Sequence, residues 1–135
     1  MKEETKNKMN KELTNKLFDK YPKIFAQKNL PMSESLVCFG FEHGDGWYDI
    51  LDNLCEKIQQ HVDESGCSQV EAVQMKEKYG GLRFYVHGGD KYIDDLIYQA
   101  EEESYETCEA CGSKENVTSE GSWITTLCEK CRNKS

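Results

Sequence analysis

Four of the seven cysteines stand as Cys108-x2-Cys111 and Cys128-x2-Cys131, with 16 residues between the two pairs. At this spacing each short turn offers two sulfurs to one tetrahedral ion, and the intervening strands close the far side. Zn²⁺ is the expected ion. Four thiolates leave it no position for water, so its expected job is structural, worth about 10 kcal/mol or more of apparent free energy. The segment needs that contribution, because it has only Val117, Trp123, Ile124 and Leu127 to bury. The competing reading, two disulfides or redox motifs, requires an oxidising compartment. Lys and Glu stand where a signal peptide would carry its apolar run, so a reducing cytoplasm is expected.

Across 135 residues, 25 Asp and Glu outnumber 17 Lys and Arg, for a net charge of −8. A field of that sign repels nucleic-acid phosphates, and nucleic acid is not expected as a partner. Between Asn29 and Met75 the only cation is Lys57, which makes the middle of the chain an acidic surface. The longest apolar stretch, Leu36 to Phe41, is six residues, against the ~20 needed to cross a bilayer, and no membrane span is expected. The length favours one compact domain with an appendage: an α+β domain over residues 1–106 and a zinc-ribbon module over 107–135.

The expected domain is small, with about three helices and a sheet containing a β-hairpin. Met9, Leu13, Leu17 and Phe18 mark an amphipathic helix that ends before Pro22, with about the first eight residues frayed. Leu36 to Phe41 reads as a buried strand and His43-Gly-Asp-Gly46 as a turn. Asp45 can then cap a helix carrying Trp47, Ile50, Leu51, Leu54, Ile58, His61 and Val62 at offsets of three and four, stopping near Gly66. Asp90 can cap another, carrying Ile93, Leu96, Ile97 and Ala100. Cys38 and Cys55 fall in apolar patterns and read as small buried hydrophobes, and His61, on the apolar face of its helix, as a satisfied core histidine. His43, His61 and His87 show no metal spacing. No phosphate-binding loop, nucleophile elbow or paired-carboxylate arrangement is present, so no catalytic residue is assigned and an enzyme is not expected.

Gly80-Gly81 reads as a two-residue hairpin turn. That register places Tyr79 opposite Leu82, Lys78 opposite Arg83 and Lys76 opposite Tyr85, with Gln74, Lys76, Lys78, Arg83, Tyr85 and His87 on one face. Like charges opposed across strands are destabilising alone, so an acid should lie over them. It can be the protein's own, from Asp49, Asp52 or the Glu101 to Glu103 cluster, which is the commoner arrangement. It can also be an external anion, met by the Arg83 fork and the Tyr85 ring. Gly44-Asp-Gly-Trp-Tyr-Asp49 is the other stretch that folding alone explains poorly. Two glycines and two aromatics at a helix start suit an anion or a base, with Tyr48 the better contact and Trp47 in register with the core stripe.

Gly40-Phe-Glu-His-Gly-Asp-Gly-Trp-Tyr48, Gln74-Met-Lys-Glu-Lys-Tyr-Gly-Gly-Leu-Arg-Phe-Tyr85, Glu101 to Tyr105, Cys108-x2-Cys-Gly112 and Trp123 to Cys131 together resemble a family of small accessory proteins of tailed bacteriophages and prophages. The resemblance covers about residues 17 to 131. It implies a phage product acting in the cytoplasm of a bacterial host, of a kind that often counteracts host defence. The leading expectation is capture of a small anionic, nucleotide-derived immune signal by Tyr48, Lys76, Lys78, Arg83, Tyr85 and Trp47. The first alternative is a zinc-ribbon adaptor that docks its acidic surface on a host defence protein and inhibits it, and the second a nucleotide-processing enzyme. Whether the chain forms a homo-oligomer is left open.

Overall fold

The structure is a computed structural model that describes residues 8–121 and 123–134. It is α+β, with four helices, a three-stranded sheet and a two-stranded sheet. Helix α1 spans Lys11–Lys20, α2 Tyr48–Ser65 and α3 Lys91–Ser104. The main sheet holds β1 (Phe41–Glu42), β2 (Glu71–Lys78) and β3 (Gly81–His87) in that order, with β1 parallel to β2 and β2 antiparallel to β3. At the C-terminal end β4 (Val117–Glu120) and β5 (Thr125–Cys128) form a second hairpin, followed by a short α4 (Glu129–Lys134) that the sequence pattern does not announce.

Helix α1 starts where the Asn10 side chain accepts the Leu13 N–H, satisfying one of the unpaired donors of its first turn. It buries Leu17 and ends at Lys20, before Pro22 as expected. Of the roughly eight residues expected to fray ahead of it, 1–7 lie outside those described, and Met9 is buried with its N–H on the Phe41 carbonyl. Helix α2 packs Ile50, Leu51, Leu54, Cys55, Ile58 and Val62 into the core and stops at Gly66, which takes a left-handed conformation. Asp45 does not cap it. The Asp45 carboxylate instead accepts from the backbone N–H and side-chain amide of Asn10, joining α1 to the loop before α2. Asp90 does cap α3, accepting the Ile93 N–H.

Two expectations about strands are corrected. Leu36 to Phe41 is not a buried strand: Val37–Phe39 form a 3-10 turn and Gly40 sits at φ +72°. Only Phe41 and Glu42 pair with β2, and Cys38 and Phe39 are exposed. Cys55 is buried as expected, but Cys38 is not.

The second correction is the hairpin register. The turn is Tyr79-Gly80, at φ +54° and +85°, the two positive values a right-twisted hairpin prefers. Lys78 therefore faces Gly81, Glu77 faces Leu82, Lys76 faces Arg83, Met75 faces Phe84 and Gln74 faces Tyr85, two residues from the expected pairing, so the same residues keep the same face. Gly81 is a glycine for space: a Cβ there would lie 2.5 Å from the Tyr105 ring and hydroxyl. Both glycines are needed, but for different reasons, and only Gly80 is in the turn. Glu77, the polar exception among core-facing positions, accepts the Gly80 N–H at 2.8 Å and holds the turn.

Candidate functional site

Cys108, Cys111, Cys128 and Cys131 converge with their sulfurs all within 4.8 Å of one another, and Cys111 and Cys128 3.7 Å apart. A tetrahedral thiolate site with metal–sulfur bonds of ~2.3 Å has edges of ~3.8 Å, so the donor set is built to receive an ion. The first pair lies on a tight turn closed by the Cys108 N–H to the Ser113 carbonyl and the Gly112 N–H to the Cys108 carbonyl. The second pair departs from a ribbon of two turns: Cys128 ends β5 and Cys131 lies on α4. Burial opposes ionisation of Cys108, but backbone N–H groups of Cys128, Cys111 and Ala110 outweigh it and bring the thiol down to about 6. Burial and three neighbouring thiols push Cys131 up to about 12. A bound cation would displace the protons of all four thiols.

This module is seated on the α+β domain through Gly44 to Trp47, the stretch whose glycines the sequence left unexplained. The Gly46 N–H donates to the Glu109 carbonyl at 2.7 Å, the Gly44 N–H to the Glu109 carboxylate at 2.9 Å, and the Trp47 indole N–H to the Thr107 carbonyl at 2.9 Å. A Cβ on Gly46 would lie 2.1 Å from the Cys108 carbonyl oxygen, and one on Gly44 2.5 Å from that of Glu109. The first metal turn thus lies directly on backbone. A second contact joins the hairpin: the buried Thr126 hydroxyl donates to the Gly80 carbonyl at 2.6 Å. The units expected at 1–106 and 107–135 meet across this seam of hydrogen bonds.

Sequence reasoning missed Glu109 and His43, both buried at the seam. Burial pushes the Glu109 carboxyl up to about 7; its place inside the Cys-x2-Cys turn was the available signal. His43 packs between Phe41 and Trp47. Its Nδ1 lies 2.8 Å from the Gly44 carbonyl, so Nδ1 carries the proton. Nε2 finds no partner among the described residues, and burial lowers the ring from 6.5 to about 4.

A basic group with a depressed folded pKa makes no contribution above the unfolded pKa. As pH falls from 6.5 towards 4 the unfolded chain takes up a proton that the folded one refuses, which costs up to ~3 kcal/mol. Glu109 acts oppositely over pH 7 to 4.5, because the folded state holds its proton first. The expected result is therefore a difference: in urea melts the gap in stability between wild type and His43→Gln narrows from pH 7 to pH 4.5. A gap constant with pH would contradict a neutral buried imidazole.

Of the six residues expected to form a ligand site, the structure brings four to one face. Lys76 and Arg83 are directly opposed on the solvent side of the sheet, Tyr85 stands on the same face with 41% of its surface exposed, and Lys78 lies at the hairpin end over the Tyr79 ring. Two are elsewhere. Trp47 is fully buried with its indole N–H used, which removes it as a ligand contact. Tyr48 is half-buried on α2 with Lys16 of α1 over its ring. The acid foreseen over the cations is Glu101, which pairs with Arg83 while Tyr105 hydrogen-bonds the same guanidinium. On the other side Glu42 of β1 is in register with Lys76. Asp52 goes instead to Lys20 at 3.0 Å. Across the sheet the row reads acid, base, base, acid. Beside it an open groove of about 540 Å³ is lined by Met32, Leu36, Val73, Gln74 and Tyr85 together with Ser33, Glu34 and Ser35.

Among the described residues no helix is long and apolar enough to cross a membrane. No family model, curated protein or solved structure matches the chain.

Proposed function

We propose that the protein is a non-catalytic adaptor that holds a structural Zn²⁺ in its four-cysteine centre and docks the solvent face of its main sheet on a protein partner. The observation that carries this reading is the composition of that face. In the charge row Glu42, Lys76, Arg83, Glu101 the guanidinium is paired with Glu101 and Lys76 has Glu42 in register beside it, and next to the row lies an open groove with Met32, Leu36, Val73 and Tyr85. Exposed tyrosine and methionine, with a half-buried arginine alongside, are residue types that protein interfaces enrich. A balanced row in a chain of net charge −8 gives a free anion little field to follow. The resemblance to phage accessory proteins makes a host defence protein in the bacterial cytoplasm the proposed partner. The working surface is then the sheet face rather than the acidic surface of the middle segment.

A pull-down from bacterial lysate tests it. Wild-type protein is expected to retain a stoichiometric partner, and Tyr85→Glu and Met32→Glu, both at exposed positions, to weaken it ~10-fold or more while melting like wild type. Retention unchanged by either variant would remove this face from the account.

One observation favours a second reading, capture of a small nucleotide-derived anion: Lys76 and Lys78 make no ion pair among the described residues, and Lys76 faces Arg83. It requires Arg83 to leave Glu101 for the ligand. Calorimetric titration with nucleotides and ADP-ribose separates the two readings. Heat that disappears in Lys76→Glu supports capture, and its absence together with a retained protein supports docking.

A further inference from the structure

We propose that His61, Cys67 and Asp90 form a second metal site, distinct from the four-cysteine centre, that takes a divalent transition-metal cation of the zinc class and leaves one coordination position open. One donor atom from each of the three lies within 4.8 Å of the other two, and His61 Nε2 is 2.9 Å from Asp90 Oδ2. A tetrahedral ion bound by nitrogen and oxygen at ~2.1 Å, and by sulfur at ~2.3 Å, has edges of ~3.4 to 3.6 Å. Seating it needs adjustments of the order of an ångström or less. Imidazole, thiolate and carboxylate are the three donor types this ion class accepts, and three protein ligands leave the fourth position to water or to an exogenous group. That is the opposite of the closed site made by four cysteines.

The donors come from three separate places in the chain, and backbone fixtures hold each of them. His61 is on the penultimate turn of α2, with the Tyr92 ring stacked on its imidazole at 4.3 Å. Gly66 turns the chain at the end of α2 and Cys67 follows, its N–H on the Ser65 hydroxyl. Asp90 caps α3 through Oδ1, which leaves Oδ2 for His61 or an ion. The two loops that carry Cys67 and Asp90 are joined by the Gly89 N–H, shared between the Ser68 carbonyl and hydroxyl, and approach so closely that a Cβ on Gly88 would lie 2.2 Å from the Gln69 carbonyl oxygen. An ion pair accounts for His61 and Asp90 but leaves the third donor without a role. With Cys67 half-buried and Asp90 exposed, an ion can enter from solvent.

Titration of the zinc-loaded full chain with Co²⁺, read in the visible and near-ultraviolet, tests the site. Wild type is expected to bind one equivalent beyond that in the four-cysteine centre, with a thiolate-to-cobalt charge-transfer band from Cys67. Cys67→Ser should abolish that band, and Asp90→Asn, which keeps a good helix cap, should weaken the added equivalent ~100-fold. Both variants should keep the first equivalent and a wild-type far-ultraviolet spectrum. No added equivalent in wild type, or one whose band survives Cys67→Ser, would overturn the site.

Discussion

Stripping the metal from the four-cysteine centre, or replacing Cys108 with serine, is expected to unfold residues 107–134 while the α+β core stays folded. The core cluster runs from Met9 to Ala100 and, among the described residues, takes no side chain from the C-terminal module. That module exposes 79% of Trp123 and 40% of Ile124. A bound ion would therefore supply its stability, at about 10 kcal/mol or more, and hydrogen bonds its attachment, at about 1 kcal/mol each. Those bonds cannot hold a disordered turn in place. In a Trp123→Phe background the remaining tryptophan, Trp47, loses its partner at the Thr107 carbonyl. Chelator should thus shift its emission to the red at a concentration that leaves the helical circular dichroism of α2 and α3 largely intact. A single transition that removes both signals together would mean that the core and the module form one cooperative unit.

Gly46→Ala is expected to destabilise the protein by about 3 to 5 kcal/mol, lowering Tm by roughly 10 °C or more, without touching a cysteine. The added methyl would meet the Cys108 carbonyl oxygen at 2.1 Å, the Glu109 carbonyl oxygen at 2.6 Å and the Gly112 nitrogen at 2.6 Å. All three are backbone atoms of the metal turn, so nothing there can swing aside. Moving the turn breaks the 2.7 Å bond from the Gly46 N–H to Glu109 and leaves two buried polar groups unpaired. Gly66→Ala is the control: no atom lies within 4 Å of its Cβ, and its φ of +77° alone costs about 1 kcal/mol. Thermal melts of the two metal-loaded variants decide the matter, and equal losses would contradict the direct seat of the metal turn on this loop.

What the sequence made legible follows the range of the interactions concerned. Helix α2 announces itself because its apolar residues recur within one element, and Asp90 because a cap acts three residues away. The four cysteines are legible because ligand spacing is set by the geometry of the ion. The strand expected at Leu36 to Phe41 failed because Gly40 at φ +72° breaks an apolar run that composition alone would make a strand. The hairpin turn moved by one residue, and the cross-strand pairing by two, for a tertiary reason. Gly81 is fixed by the Tyr105 ring, 24 positions on, so the turn fell on Tyr79-Gly80, and the slip moved Arg83 from Lys78 to Lys76. Gly44 and Gly46 suggested a ligand loop because a glycine kept for a ligand and one kept for a neighbouring backbone look alike in sequence. Likewise His61, read as a core histidine, is half-buried at the rim and paired with Asp90, a contact made 29 residues away.

The metal turn is the part that holds the Gly44 to Trp47 loop in place, and amide hydrogen exchange followed by NMR tests this most directly. In the metal-loaded protein the Gly46 N–H and the Trp47 indole N–H should be protected. On chelation both should lose protection by several orders of magnitude, while amides in the middle of α2, such as that of Leu54, keep theirs. Unchanged protection at Gly46 and Trp47 after the metal has gone would show that the loop stands without the module.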